Sequence, residues 1–135
     1  MRRDTAADDA RMRTVATALS GTRAAVGVAA LAAPGLASAI MGFPRGSDTA
    51  SARMIGRLFA IREVALGAYT AAQVQRNATQ PDLYLLNAAV DGSDAVVCAL
   101  TLLGRRGVGR AAFGSFALAI PFAATFLWLR GSCQN

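Results

Sequence analysis

Long apolar stretches alternate along the chain with short polar interruptions. Each stretch is close to the roughly twenty residues an α-helix needs to cross the ~30 Å hydrocarbon core of a bilayer at 1.5 Å per residue. The pattern predicts spans at about 24–43, 53–75, 82–103 and 111–129, preceded by a polar arm, 1–20, and followed by a short tail, 131–135. The arm carries Arg2, Arg3, Asp4, Asp8, Asp9, Arg11 and Arg13 with few large apolar groups. It reads as a solvated segment or a weak amphipathic helix on the membrane surface. No charge falls between Ala24 and Phe43, and Pro34-Gly35 inside that stretch predicts a kink that a membrane helix tolerates. Phe43-Pro44-Arg45-Gly46-Ser47-Asp48 is a loop of turn formers, and Asn77-Ala78-Thr79-Gln80 a short turn before Pro81 and Asp82, which suit a helix start. Gly104 to Arg110 is a basic, glycine-rich loop, and Trp128 beside Arg130 is an interface anchor at the end of the last span. The fold class expected is all-α: an integral membrane four-helix antiparallel bundle.

Composition supports this picture and narrows the chemistry. Hydrophobic residues make up 54% of the 135 residues and charged ones 16%, against about 25% charged in a soluble domain. All fourteen basic residues are Arg, with no Lys and no His. With the Ala and Gly richness, that bias points to a GC-rich bacterial genome, hence a bacterial plasma membrane. The net charge of +6 does not imply nucleic acid, because the Arg residues mark the ends and interruptions of apolar segments, as flanks facing anionic headgroups do. Arg2, Arg3, Arg11, Arg13, Arg23, Arg76 and Arg130 fall on one side, and Arg45, Arg53, Arg105, Arg106 and Arg110 on the other, which favours cytoplasmic termini. A signal-peptide reading, with Ala37-Ser38-Ala39 as its cleavage site, competes for the first span; the long region before the apolar run, with three Asp, argues against it.

The candidate functional residues are the ionisable groups inside the spans. Arg57, Arg62, Glu63, Asn87, Asp91 and Asp94 form the expected intramembrane polar cluster, with Arg23 at the edge of the first span expected to snorkel to the interface. An unpaired charge at the bilayer centre costs about 2.5–3.5 kcal/mol on insertion scales, so a balanced set reads as mutual partners. Asn87, Asp91, Asp94 and Cys98 form one stripe, extended by Tyr84 and Thr101. Gly56, Ala60, Glu63, Gly67 and Ala71 share a face whose small residues allow close backbone approach, so Glu63 points at another helix. Arg62 and Glu63 are set about 100° apart and do not face each other. Helices antiparallel across the 76–81 turn bring positions summing to roughly 157 level. Arg62 with Asp94 or Asp91 is then the best-placed pair, and the second and third spans should be buried against each other.

Other chemistry is weaker. Cys98 and Cys133 lie toward opposite ends of the bundle, about 20 Å apart in depth, too far for an intrachain disulfide. The Gly104–Arg110 loop lacks the Lys-Ser/Thr ending of a phosphate-binding loop, and Asn77-Ala78-Thr79 matches a glycosylation sequon of little meaning in a short turn. Without His there is no Ser-His-Asp triad or His-based metal site, no nucleophile–base pair stands out, and neither enzyme activity nor a cofactor is expected.

Gly56-Arg57-Leu58-Phe59-Ala60-Ile61-Arg62-Glu63 followed by Leu66-Gly67, with Val90-Asp91-Gly92-Ser93-Asp94 and Ala33-Pro34-Gly35, resembles small four-helix membrane proteins of actinobacteria that are broadly DoxX-like. The resemblance covers residues 20–130 and implies the same four-helix membrane architecture with no established activity. Two function classes lead, ahead of a membrane enzyme, which ranks last: a structural or accessory protein that docks on a membrane-protein partner or on its own copies, and a carrier or binder of a proton, ion or lipophilic molecule through the charged cluster. The bilayer is a partner in both; nucleic acid is not.

Overall fold

The computed structural model describes residues 2–78, 81–104 and 107–133, with side chains from Ala7 onward. Thr79 of the sequon, Arg105 and Arg106 of the basic loop, and the side chains of Arg2, Arg3 and Asp4 lie outside the described set. Among the described residues five α-helices follow one another: α1 (Arg2–Ala32), α2 (Pro34–Ile40), α3 (Ala50–Gln75), α4 (Pro81–Leu103) and α5 (Gly109–Ser132), with a 3-10 turn at Arg45–Ser47. Among the described residues three stretches are, by length and composition, apolar enough to cross a membrane: Ala7–Ala32, Pro81–Leu103 and Gly109–Ser132. α3, with Arg53, Arg57, Arg62 and Glu63 in its length, is not among them.

The first helix begins earlier and ends earlier than the apolar pattern suggests. α1 runs unbroken through the polar arm, whose Ala residues are strong helix formers, and stops at Ala32. The pyrrolidine of Pro34 disfavours helical backbone at Ala33, which adopts φ −136° and ψ 67°, and Pro34 then opens α2 at a position where its missing N–H is no loss. Gly42, with φ 84°, turns the chain after α2, and its bare α-carbon faces the backbone of Arg110 and Ala111 at the start of α5. Thr49 caps α3 by accepting the Ala52 N–H at 3.2 Å. α5 continues through Pro121 without interruption.

The closest helix contacts are α1 with α3 and α4 with α5. On α1, Ala16, Ser20, Arg23 and Gly27 are buried; on α3, Ala60, Glu63, Gly67, Thr70 and Val74. Both stripes alternate spacings of three and four, the repeat that keeps a narrow seam facing a partner helix. The two backbones touch at their glycines. A Cβ on Gly27 would sit 2.7 Å from the Ala60 carbonyl oxygen, and one on Gly67 would sit 2.6 Å from that of Ser20. Residue numbers rise on α1 as they fall on α3, so the pair runs in opposite directions. The small-residue face read on the second segment is thus used at Ala60 and Gly67, but against the first helix. α3 and α4, expected to bury each other, have few close backbone approaches. They meet through side chains instead, Arg62 with Asp94 and Thr70 with Asn87.

An apolar cluster of Ala16, Val74, Tyr84, Ala88, Phe126 and Leu129 fills the end of the molecule near the α3–α4 turn, with Met12, Val15, Leu19 and Phe122 against it. The Tyr84 and Phe126 rings are tilted by 30° at a centroid separation of 6.2 Å. Elsewhere the helices turn large apolar side chains outward, among them Val28, Leu36, Leu58, Val97, Leu100 and Leu118, each more than half exposed. Water-facing surfaces rarely carry so much apolar area.

Candidate functional site

Arg23 is the centre of the site, and it is only 3% exposed. Its position on α1 places it among three helices. Its Nη1 donates to Asn87 Oδ1 on α4 at 2.6 Å, its Nη2 is bonded to Asp91 Oδ1 one turn further along, and its Nε lies 2.7 Å from Glu63 Oε2 on α3. The Nε–H is not directed along that last line, so the contact is an ion pair rather than a linear hydrogen bond. The guanidinium also stands 5.7 Å from the centre of the Phe126 ring, on top of the apolar cluster. Asn87 completes the arrangement: its amide donates to Thr70 Oγ1 at 3.0 Å and to the Leu83 carbonyl at 2.9 Å. A fully buried amide with both its carbonyl and its amino group engaged fixes the depth of α4 against α1 and α3.

Arg62 forms the second half. Its Nη1 and Nη2 donate to Asp94 Oδ1 and Oδ2 at 3.2 and 2.5 Å, a bidentate pair across α3 and α4. Its Nε and Nη2 also reach Glu63 Oε1, at 3.2 and 3.1 Å. Arg62 Cζ stands 4.8 Å from the Phe59 ring centre. Glu63 therefore bridges both halves, one oxygen to each guanidinium. This pair is more open than the first, with the Arg62 and Asp94 side chains 36% and 31% exposed.

Of the residues expected in the cluster, Arg62, Glu63, Asn87, Asp91 and Asp94 are brought together and Arg57 is not. Arg57 is exposed on the outer side of α3 and makes no ion pair among the described residues. The Arg62–Asp94 pairing matches the expected level. Two expectations are corrected. Arg23 does not snorkel; it is the most buried cation of the cluster, because α1 extends well before Ala24 and places Arg23 inside the helix rather than at its start. Arg62 and Glu63 do meet, because the long Arg62 side chain folds back along the helix to its neighbour. The signal for Arg23 lay in its company. Ala16, Ser20 and Gly27 share its stripe, and the small face of α3 needs an equally small face opposite it. Cys98 and Cys133 are both free thiols.

Comparison with protein-family models, curated proteins and solved structures finds no match to this chain. The site must therefore be read from its geometry. Among the described residues no group of Cys, Asp and Glu is arranged to hold a metal ion; the carboxylates are turned to the guanidiniums instead.

Proposed function

We propose that this is a multi-pass protein of the bacterial plasma membrane, with termini on the cytoplasmic side, in which α1, α3, α4 and α5 form an antiparallel four-helix bundle akin to DoxX-like proteins. Its role is structural or accessory: a small bundle that docks on a membrane-protein partner or on further copies of itself. The observation that carries this reading is the joining of the two tight helix pairs through Arg23, which ties α1 and its close partner α3 to α4, a helix with few close backbone approaches to either. Within a bilayer the hydrophobic effect does not hold helices together, so such polar contacts set register. α3 crosses the membrane in this reading because its charges are paired inward or lie near the interface, as Arg57 does.

A second reading is favoured by the composition of the cluster, which sets two guanidiniums against three carboxylates. An excess acidic group suits a carrier or binder of a proton, a cation or a lipophilic cation. Reconstitution separates the two. In the structural reading, Asp94→Asn lowers unfolding resistance and wild-type liposomes hold a pH gradient as well as empty ones. Dissipation of the gradient by the wild type, lost in Asp94→Asn without loss of stability, would overturn it.

A further inference from the structure

The charged layer contains six carboxylate oxygens, and five of them face a guanidinium. Glu63 Oε1 and Oε2 are shared between Arg62 and Arg23; Asp94 Oδ1 and Oδ2 both receive Arg62; Asp91 Oδ1 receives Arg23. The sixth, Asp91 Oδ2, is buried without a hydrogen-bond partner. Asp91 itself is 5% exposed. The charged groups around it are Arg23 from α1, Glu63 and Arg62 from α3, and Asp94 from its own helix, with Asn87 sharing the Arg23 guanidinium. The face of α5 nearest to Arg23 is apolar, at Phe126.

We infer that Asp91 Oδ2 is a proton-binding site, occupied at neutral pH, and that the layer is charge-neutral as Arg23 with Glu63, Arg62 with Asp94, and Asp91 as a neutral acid. This deepens the carrier reading and rests on it only for what the proton would be used for. Three reasons place the proton there. Two cations cannot neutralise three carboxylates, and an uncompensated buried charge is far more costly than a buried neutral polar group. Like-charged carboxylates sharing one site favour a proton on one of them. Among the three, only Asp91 has an oxygen that no guanidinium engages. A proton on Oδ2 leaves Oδ1 free to keep its bond from Arg23, so occupancy does not break the network.

The test is infrared spectroscopy of the full-length chain in lipid nanodiscs at neutral pH, which sees the carbonyl stretch of a protonated carboxyl group directly. The wild type should show this band. It should shift when the aspartate carboxyl carbons carry the heavy isotope and stay when only glutamate is labelled. It should vanish in Asp91→Asn and persist in Asp94→Asn. Absence of the band in the wild type, a shift with labelled glutamate, or survival of the band in a folded Asp91→Asn protein would overturn the assignment. The isotope experiment uses the native sequence, so it decides between Asp and Glu even if Asp91→Asn does not fold, and Asp94→Asn then assigns the aspartate. Proton flux in liposomes is read separately: a band without flux keeps this site and removes the carrier reading, and flux without a band does the reverse.

Discussion

Arg23 on α1 and Asp91 on α4 are bonded to each other across 68 residues of sequence, guanidinium Nη2 to carboxyl Oδ1, and both side chains are buried. The link joins the α1–α3 pair to the α4–α5 pair through α1 and α4, two helices with few close backbone approaches of their own. Removing Arg23 would leave Glu63 buried without its main cation and Asn87 Oδ1 without a donor. Arg23→Ala is therefore expected to destabilise the fold by about 3–5 kcal/mol, the range for stripping one partner from a buried ion pair. Unfolding titrations in mixed micelles measure this. Arg23→Lys should recover only part of the loss, because one ammonium cannot reproduce a planar fork that reaches three side chains.

The glycines on the helix faces divide into two kinds. At Gly27 a Cβ would meet the backbone of Ala60 and Val64 within 3 Å, whereas at Gly56 it would meet nothing within 4 Å. Gly27→Ala should force α1 and α3 apart at a cost of about 1–3 kcal/mol. Gly56→Ala, within α3, should be neutral or stabilise by up to about 1 kcal/mol through helix propensity. Equal effects in the same unfolding assay would contradict the close approach.

Arg57 and Arg62 sit five residues apart on α3 with opposite surroundings. Arg57→Leu should change stability by no more than about 0.5 kcal/mol, since it is exposed and takes part in no ion pair among the described residues. Arg62→Leu leaves Asp94 without its bidentate partner and should cost on the order of 1 kcal/mol or more, moderated by partial exposure of the pair. Reversal of that order would place the wrong Arg in the cluster.

The loop before α3 supplies a pH-dependent contact. Arg53 donates to both oxygens of Asp48, at 2.8 and 2.9 Å, and holds its carboxyl below the usual carboxylate range. The sign follows: the contact contributes fully above the unfolded-state value of about 3.9 and is lost as pH falls through the lowered folded value. Arg53→Gln should move the Asp48 carboxyl titration upward by NMR. An unchanged midpoint would show the pair to be absent in solution.

Much of this arrangement was legible from the sequence, and the parts that were not have a common cause. Charge balance and the helical rise placed Arg62 level with Asp94, because both depend only on spacing. The stripe from Tyr84 through Asn87 to Asp91 followed from the same periodicity. Arg23 was missed because the uncharged run begins at Ala24, which made Arg23 look like a flank; hydropathy marks where apolar residues start, not where a helix starts. The partner of the small-residue face was missed for a different reason. Periodicity shows that Ala60 and Gly67 face something, but only the matching stripe of Ser20 and Gly27 says which helix that is. Nor can spacing foretell that a flexible Arg62 will curl onto its neighbour Glu63.

The central claim is that Arg23 and Asp91 join the two helix pairs. A double-mutant cycle, with Arg23→Met, Asp91→Leu and the two combined, measured by unfolding in bicelles, tests it most directly. The bond predicts that the double variant loses less than the sum of the single losses, by about 1–3 kcal/mol. Additivity within about 0.3 kcal/mol would mean that the two side chains do not meet.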